Sequence, residues 1–220
     1  MGHIIPVINA ASFEEVAEKI KRLEPYAEGP DNGGIKWAHI DVADGSFTEN
    51  VLWHNPKELL DIKTPLFLEL HLMLDHIDEK ISDWLLPNVR RNIVHVEAAQ
   101  NLAGVIQLCH QARIEAGIAL KPETPCAAVS PYFEEADLMQ ILAVEPGRSG
   151  QRFQDDMIPK IQELRRMCPS CVIEVDGGVN ADMARLASAA GANLFAAGHE
   201  LFIASDIKKA IEELERNAQA

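Results

Sequence analysis

The segment KWAHIDVADG, residues 36–45, carries the pattern that decides the fold. Its short apolar run, interrupted and closed by aspartates, predicts a β-strand that leads into a loop. Side chains two residues apart share one face of a strand, so His39 and Asp41 point one way while Ile40 and Val42 point the other. The strand therefore has a polar face and an apolar face, and the apolar face must be buried against helices.

Short β-rich runs of this kind occur eight times along the 220-residue chain, and amphipathic stretches lie between them. Ser12 and Asn180 are the predicted N-cap residues of two of the helices. The predicted strands are 3–9, 36–43, 66–73, 92–98, 115–121, 138–145, 171–176 and 192–197. The clearest predicted helices are 12–24, 76–86, 101–112, 155–167, 180–190 and 204–218.

This alternation of strands and helices indicates βαβ units and a parallel sheet. Eight units in 220 residues predict the α/β class and a closed (β/α)8 TIM barrel, with residues 1–220 forming a single domain. An open, doubly wound sheet is the alternative, but it usually has fewer strands and a glycine-rich loop after the first one. The segment INAAS, residues 8–12, follows the first strand and contains no glycine.

Charge and composition limit the classes of function. The chain carries a net charge of −14, whereas non-specific binding to nucleic acid needs a basic surface. No segment approaches the roughly 18 unbroken apolar residues that span a membrane, and the N-terminus lacks the pattern of a secretory signal. We therefore expect a cytoplasmic protein with neither a nucleic-acid nor a membrane partner.

Two of the four cysteines, Cys168 and Cys171, form the motif CPSC. Such a motif occurs in redox pairs and in halves of zinc sites. Because the chain has no second motif of this kind and no pair of histidines near it, we expect isolated thiols, as in most cytosolic proteins.

Polar residues end several of the predicted strands, and the C-terminal strand ends of a (β/α)8 barrel form its active-site face. His39 and Asp41 end the second run, His71 ends the third and Asp176 ends the seventh. Two imidazoles and two carboxylates at one barrel mouth suit a divalent metal ion such as Zn2+, Fe2+, Mn2+ or Co2+. Any one of them alone is as readily a hydrogen-bonded buried histidine or a surface aspartate. Glu69 is either a group that orients the His71 ring or ordinary polar packing.

The last three predicted strands lead into loops that contain glycine. Glycine lets backbone N–H groups approach an anion closely, and barrels of this class often bind phosphate after strands seven and eight. The alternative is that these glycines only make tight turns. We favour a phosphate site, formed by Gly147, Arg148, Ser149, Gly150, Gly177, Gly178, Gly198 and His199.

Taken together, the motifs resemble the ribulose-phosphate 3-epimerase family from the first strand to the eighth. Their order and spacing agree with the family throughout. The segments that carry the resemblance are 39–45, 71–73, 95–97, 119–125, 144–151, 175–180 and 197–198.

The resemblance implies a metal-dependent epimerase that interconverts D-ribulose 5-phosphate and D-xylulose 5-phosphate at C3. It implies that the metal stabilises a cis-enediolate and is held by His39, Asp41, His71 and Asp176. Of the two catalytic residues, Asp41 and Asp176, one removes the C3 proton and the other returns a proton to the opposite face. His71, Met73, Asp176 and the glycine loops are the implied substrate contacts. Family members form homo-oligomers, and we expect the same here.

Several residues around the implied site depart from the family pattern. They are Val7 for serine, Ala43 and Leu142 for methionine, Ser46 for histidine, Lys121 for asparagine and His199 for serine. Because the pocket is changed, a 3-epimerase for another ketose phosphate, such as D-allulose 6-phosphate, is an alternative, and so is a non-catalytic sugar-phosphate binder. Lys121 is expected to be a solvated loop residue, although contact with an anion or a Schiff base is open to it.

A decarboxylase or aldolase on a related phosphate-binding barrel is a further class. Those enzymes use an Asp-x-Lys-x-x-Asp motif on a strand, and this sequence does not contain one.

Overall fold

Eight parallel strands close into a barrel in the computed structural model, which describes residues 2–28 and 34–219. Each strand pairs with its neighbours in chain order, and β1 pairs with β8 to complete the closure. The strands are β1 His3–Ile8, β2 Trp37–Ala43, β3 Phe67–Met73, β4 Val89–His95, β5 Glu115–Leu120, β6 Leu138–Leu142, β7 Ile173–Asp176 and β8 Leu194–Ala197. The predicted (β/α)8 barrel is confirmed.

Helices surround the barrel and cover the apolar face of its strands. Ile40 and Val42 belong to the main apolar core between β2 and the helices, as the period-two pattern predicts. The α-helices are α1 Phe13–Leu23, α2 Ile77–Lys80, α3 Leu102–Gln111, α4 Met157–Met167, α5 Ala181–Ala190, α6 His199–Ile203 and α7 Ile207–Ala218. The 3-10 helices are Glu24–Tyr26, Pro56–Asp61, Ile81–Trp84, Val96–Ala98 and Cys126–Tyr132.

Two helix starts follow the predicted capping chemistry. The Ser12 hydroxyl accepts a hydrogen bond from the Glu15 backbone N–H at 3.4 Å, and Asn180 accepts one from the Met183 N–H at 3.0 Å. The α5 helix ends at Gly191, whose φ of 115° lies in the left-handed region that favours glycine. These local signals fix where α1 and α5 begin and where α5 ends.

Two predicted helices differ from the observed ones. The stretch 76–86 divides into the short α2 and a 3-10 helix, and its first residue, His76, has a φ of 51°, which is not helical. The stretch 204–218 begins only at Ile207, because Asp206 is extended and caps α7 by accepting from the Lys209 N–H. Both differences shorten a helix and leave the barrel unchanged.

The register between strands sets the positions of the polar side chains inside the barrel. His39 pairs with Glu69 and Asp41 pairs with His71 across β2 and β3. Asp176 pairs with Leu142 across β6 and β7. Residues that are distant in sequence thus lie at the same height in the barrel.

The expectation of isolated thiols is wrong for the CPSC motif, since Cys168 and Cys171 form a disulfide. α4 ends at Met167, and the turn that follows brings the two Cα atoms to 5.5 Å, a separation that a disulfide can bridge. Cys109 and Cys126 are free and buried. None of the helices within residues 2–28 and 34–219 has the length and apolar character that a membrane crossing requires.

Candidate active site

Four residues from three strands meet just below the C-terminal mouth of the barrel. The ligand atoms of His39, Asp41, His71 and Asp176 all lie within 4.8 Å of one another. Asp41 Oδ1 is 3.5 Å from His39 Nε2 and 3.2 Å from His71 Nδ1, and Asp176 Oδ2 is 3.5 Å from His71 Nδ1. All four side chains are buried. The residues predicted as metal ligands from strand phase are therefore brought together.

His39 supplies the observation that tests whether a cation fits here. Its Nδ1 donates to Glu69 Oε1 at 2.7 Å, whereas its Nε2 is buried and has no hydrogen-bond partner. A neutral imidazole that donates through Nδ1 carries a lone pair on Nε2. Nε2 faces the Asp41 carboxylate at 3.5 Å, so in the neutral ring that a metal ligand requires, this lone pair would point to a cation held between the two groups. Two nitrogen and two carboxylate donors are a common ligand set for a divalent transition metal.

A chain of charged residues supports His39 from inside the barrel. Glu69 accepts from Arg91 Nη1 at 2.7 Å, and the same guanidinium bonds Glu115 Oε2 at 2.7 and 3.0 Å. The guanidinium also lies 4.1 Å from the centre of the Trp37 ring. The suggestion that Glu69 orients His71 is corrected, because the β2–β3 register places its carboxylate against His39.

His71 has a different environment on each ring nitrogen. Its Nδ1 faces the two aspartates, while its Nε2 lies 2.9 Å from Nε2 of His95. His95 is fully buried and packs against the Phe47 ring, with ring centres 4.4 Å apart. Burial lowers the pKa of His95 to about 4, so that ring is neutral at pH 7.

The two aspartates have different acidities. Burial raises the pKa of Asp176 to about 6, and the nearby negative charge of Asp41 adds to the effect. Burial also acts to raise the pKa of Asp41, but the His39 and His71 rings beside its carboxyl group hold that pKa well below its usual range. Paired carboxylates of unequal pKa are typical of sites that transfer protons.

Asn9 is a site residue that the sequence interpretation missed. Its Nδ2 donates to Asp41 Oδ2 at 2.9 Å and lies 3.5 Å from the carbonyl oxygen of Gly147. It therefore fixes the second oxygen of Asp41 while the first faces the histidines. A signal was available, because Asn9 directly follows β1 and thus lies at a C-terminal strand end.

A cavity of about 420 Å3 opens directly above the four residues. Asp41, His71 and Asp176 lie in its floor, whereas His39 is buried beneath it. Every residue predicted to contact substrate lines this cavity, namely His71, Met73, Gly147, Arg148, Ser149, Gly150, Asp176, Gly177, Gly178, Gly198 and His199. The cavity thus joins the buried cluster to the three glycine loops.

Four of the five glycines that line this cavity, all but Gly198, have a positive φ that other residues rarely adopt. Gly177 and Gly178 have φ values of 105° and 64°, and a Cβ on Gly178 would lie 2.3 Å from the Phe153 backbone nitrogen. The loop after β6 is held from the other side of the mouth. Asn50 donates to the Gly147 carbonyl at 2.6 Å, and Thr48 donates to the Pro146 carbonyl at 2.9 Å.

Residues that depart from the family pattern fall into two groups. Val7, Leu142 and His199 line the cavity and can contact a ligand there. Ala43 is buried in a small apolar cluster with Leu52 and Met73. Ser46 hydrogen-bonds Asp44 and accepts from Lys80 Nζ at 3.3 Å. The first group, Val7, Leu142 and His199, changes the cavity wall itself. The second group, Ala43 and Ser46, changes residues that pack behind or beside that wall.

Lys121 is not the freely solvated lysine that the sequence led us to expect. Its Nζ lies 4.1 Å from the centre of the Phe47 ring, and the residue is half-buried. It does not line the cavity above the cluster.

Solved structures similar to this chain share its fold at low sequence identity. 3-Keto-L-gulonate-6-phosphate decarboxylase from Vibrio cholerae matches with a TM-score of 0.72 and 12% identity, covering 100% of this chain and 98% of that one. 3-Hexulose-6-phosphate synthase from Salmonella typhimurium matches with a TM-score of 0.70 and 13% identity, covering 99% and 98%. At these identities the likeness establishes the barrel architecture alone.

Curated relatives are similar in sequence over almost the whole chain. Ribulose-phosphate 3-epimerase of Bacillus subtilis is 36% identical over 220 residues, covering 97% of this chain and 98% of the relative. The enzyme of the same name from Candida glabrata is 30% identical over 238 residues, covering 99% and 94%. The model of the Ribulose-phosphate 3 epimerase family matches residues 3–202. The chain therefore belongs to the Ribulose-phosphate 3 epimerase family.

Proposed function

We propose that this protein is a metal-dependent epimerase that interconverts D-ribulose 5-phosphate and D-xylulose 5-phosphate at C3. The observation that carries the proposal is the pair of buried carboxylates, Asp41 and Asp176, in one cluster with two imidazoles at the floor of the cavity. Family membership supports the reaction, and relatives covering nearly the whole chain carry the name of this activity.

His39, Asp41, His71 and Asp176 would hold the metal ion. The donor set and the unpartnered Nε2 of His39 support this assignment. When bound, a divalent cation supplies Lewis-acid stabilisation of negative charge on the substrate oxygens, an effect of several kcal/mol. Glu69 and Arg91 keep the His39 ring in the orientation that such a ligand needs.

The two aspartates would transfer the protons. Inversion at a carbon atom requires that a proton leave one face and a proton return to the opposite face, so a single base is not sufficient. Asp41 extends from β2 and Asp176 from β7, which lets them approach a sugar in the cavity from different directions. Their unequal pKa values keep Asp41 ionised, whereas Asp176 takes up a proton near pH 6.

The glycine loops would bind the phosphate group. The loops after β6, β7 and β8 line the cavity, and glycines in them leave backbone N–H groups accessible to an anion. Arg148 and His199 add side chains that can carry positive charge to the same wall. The sugar carbons would then extend from these loops towards Asp41 and Asp176.

A second candidate substrate is another ketose phosphate, such as D-allulose 6-phosphate. The specific observation in its favour is that Val7 and Leu142 line the cavity where the family usually has serine and methionine. These replacements remove a hydroxyl group and change the shape of the apolar wall.

The test compares turnover of both sugars by purified protein, before and after chelation and after Zn2+, Mn2+ or Co2+ is added back. We expect epimerisation of D-ribulose 5-phosphate that chelation abolishes and one of the metals restores. A higher kcat/KM on the hexulose phosphate would make the second candidate correct. No turnover of either sugar by metal-loaded protein would contradict both.

A further inference from the structure

His71 stands between the metal cluster and a second buried histidine. Its Nδ1 is 3.2 Å from Asp41 Oδ1 and 3.5 Å from Asp176 Oδ2, while its Nε2 is 2.9 Å from His95 Nε2. At 2.9 Å the two Nε2 atoms share one proton, so one ring donates and the other accepts. The ring that donates determines which nitrogen of His71 keeps a lone pair.

Glu97 decides the direction of this hydrogen bond. Its Oε2 lies 3.2 Å from His95 Nδ1, and its Oε1 accepts from the Lys121 backbone N–H at 2.9 Å and from the Thr124 hydroxyl. Burial acts to raise the pKa of Glu97, but the hydrogen bonds from His95 and Thr124 lower it to about 2. A carboxylate can only accept hydrogen bonds, so the His95 nitrogen that faces it must carry a proton.

We propose that Glu97 and His95 are positioning residues that fix the tautomer of His71 for metal binding. Glu97 accepts the Nδ1–H of His95, which leaves a lone pair on His95 Nε2. That lone pair accepts the Nε2–H of His71, and the lone pair of His71 then lies on Nδ1, facing the cluster. The proposal rests on the metal site of the proposed function.

The surrounding packing keeps the chain of three residues in line. His95 is fully buried against the Phe47 ring, and Lys121 Nζ covers that ring at 4.1 Å from its centre. Lys160 donates to the backbone carbonyls of Lys121 and Pro122, which anchors the loop whose N–H group holds Glu97. The loop after β5 thus acts on the metal cluster without contacting it.

The substitution Glu97→Gln tests the direction of the chain while conserving its size. The amide oxygen of Gln would accept from Lys121 N–H and Thr124, which turns the amide NH2 towards His95 Nδ1. Two donors then face each other unless His95 shifts its proton to Nε2, which reverses the bond to His71. We expect the affinity for Zn2+, measured by competition with a chromophoric chelator, to fall by about 10- to 100-fold.

Glu123→Gln is the matched control, because Glu123 lies in the same loop and is exposed, whereas the loop residues that donate to Glu97 are Lys121 and Thr124. It should bind Zn2+ like the native protein. A structural role alone would not set a tautomer, so the second readout is 15N NMR of the histidine rings in Zn2+-loaded native protein. We expect His95 to be protonated at Nδ1 and His71 at Nε2.

His95→Phe serves as a second variant should Glu97→Gln fold poorly. It keeps an aromatic ring against Phe47 but removes the acceptor of the His71 Nε2–H. We expect a thermal melt close to that of the native protein and about tenfold weaker Zn2+ binding. His95 protonated at Nε2 in the native protein, or native Zn2+ affinity in folded Glu97→Gln or His95→Phe, would overturn the proposal. If native protein binds Zn2+ but epimerises neither sugar, the proposed function is contradicted, whereas the proposal that Glu97 and His95 fix the tautomer of His71 is not.

Discussion

The buried cluster and the glycine loops form two halves of one cavity that are built in opposite ways. The cluster consists of side chains on rigid strands, and its histidines are 0% and 1% exposed. The loop 145–151 is open to solvent at Arg148, Ser149 and Gly150, and its glycines leave backbone N–H groups accessible to a ligand. Strand phase fixes the first half, whereas local backbone conformation fixes the second.

This difference predicts unequal responses to substitution. A changed side chain in the cluster removes a unique donor or acid–base group, which nothing nearby replaces. A changed residue in the loops leaves several other N–H groups in place and disturbs them through the backbone. The first kind of change should act on turnover and metal binding, and the second on KM.

The largest effect should come from the aspartates. We expect Asp176→Asn to lower kcat by about 10²- to 10⁴-fold, because an amide neither accepts nor returns a proton. Asp41→Asn should abolish turnover to a similar extent and also weaken metal binding, because that carboxylate is assigned both roles. Steady-state kinetics and metal analysis of dialysed protein measure both effects.

Asp61→Asn is the control, because it makes the same change of carboxylate to amide at an exposed position. It should leave kcat and metal content unchanged. Asp176→Asn with native turnover and native metal content would show that the site is wrong. Lost turnover with full metal content in Asp41→Asn would contradict its role as a ligand.

An intermediate effect should come from Gly178→Ala. The new Cβ would meet the Phe153 backbone nitrogen, and a φ of 64° strains any residue with a Cβ, so the loop must shift. Loss of one hydrogen bond to a charged phosphate costs about 1.5–3 kcal/mol, which corresponds to a rise in KM of roughly tenfold or more. The kcat should change less than KM.

Gly191→Ala is the matched comparison, since Gly191 also has a positive φ, 115°, but lies at the end of α5 and not in the cavity. Both variants should lose about 1–3 kcal/mol of unfolding free energy in denaturant titrations. Only Gly178→Ala should raise KM. An equal change of KM in both would mean that general destabilisation, not phosphate contact, is responsible.

The smallest effect should come from Leu142→Met, which restores the residue that the family usually has in the cavity wall. Leucine and methionine are close in volume, so the unfolding free energy should change by less than about 1.5 kcal/mol. We expect kcat/KM for D-ribulose 5-phosphate to change by less than about tenfold, because the two side chains fill a similar volume and even a whole missing methylene changes it by only about 10- to 200-fold. A much larger rise, with a matching loss on the hexulose phosphate, would instead identify Leu142 as the residue that selects the sugar.

Much of the fold and the centre of the site follow from sequence periodicity. The eight predicted strands contain or overlap the eight observed ones, because alternating faces and β-rich runs are local properties. His39, Asp41, His71 and Asp176 were identified for the same reason, since strand phase and the barrel's C-terminal face place them without further information.

Only the tertiary structure decided which of these residues interact with one another, and through which atoms. The register between β2 and β3 places the Glu69 carboxylate within hydrogen-bond distance of His39 and not of His71, although His39 and Glu69 are 30 residues apart in sequence. The turn after α4 paired Cys168 with Cys171. The pairing of β3 with β4 brings His95 next to His71. Periodicity gives the face of a strand on which a side chain lies, but hydrogen-bond partners depend on the relative shift of strands that close a barrel, and that shift is a property of the whole sheet.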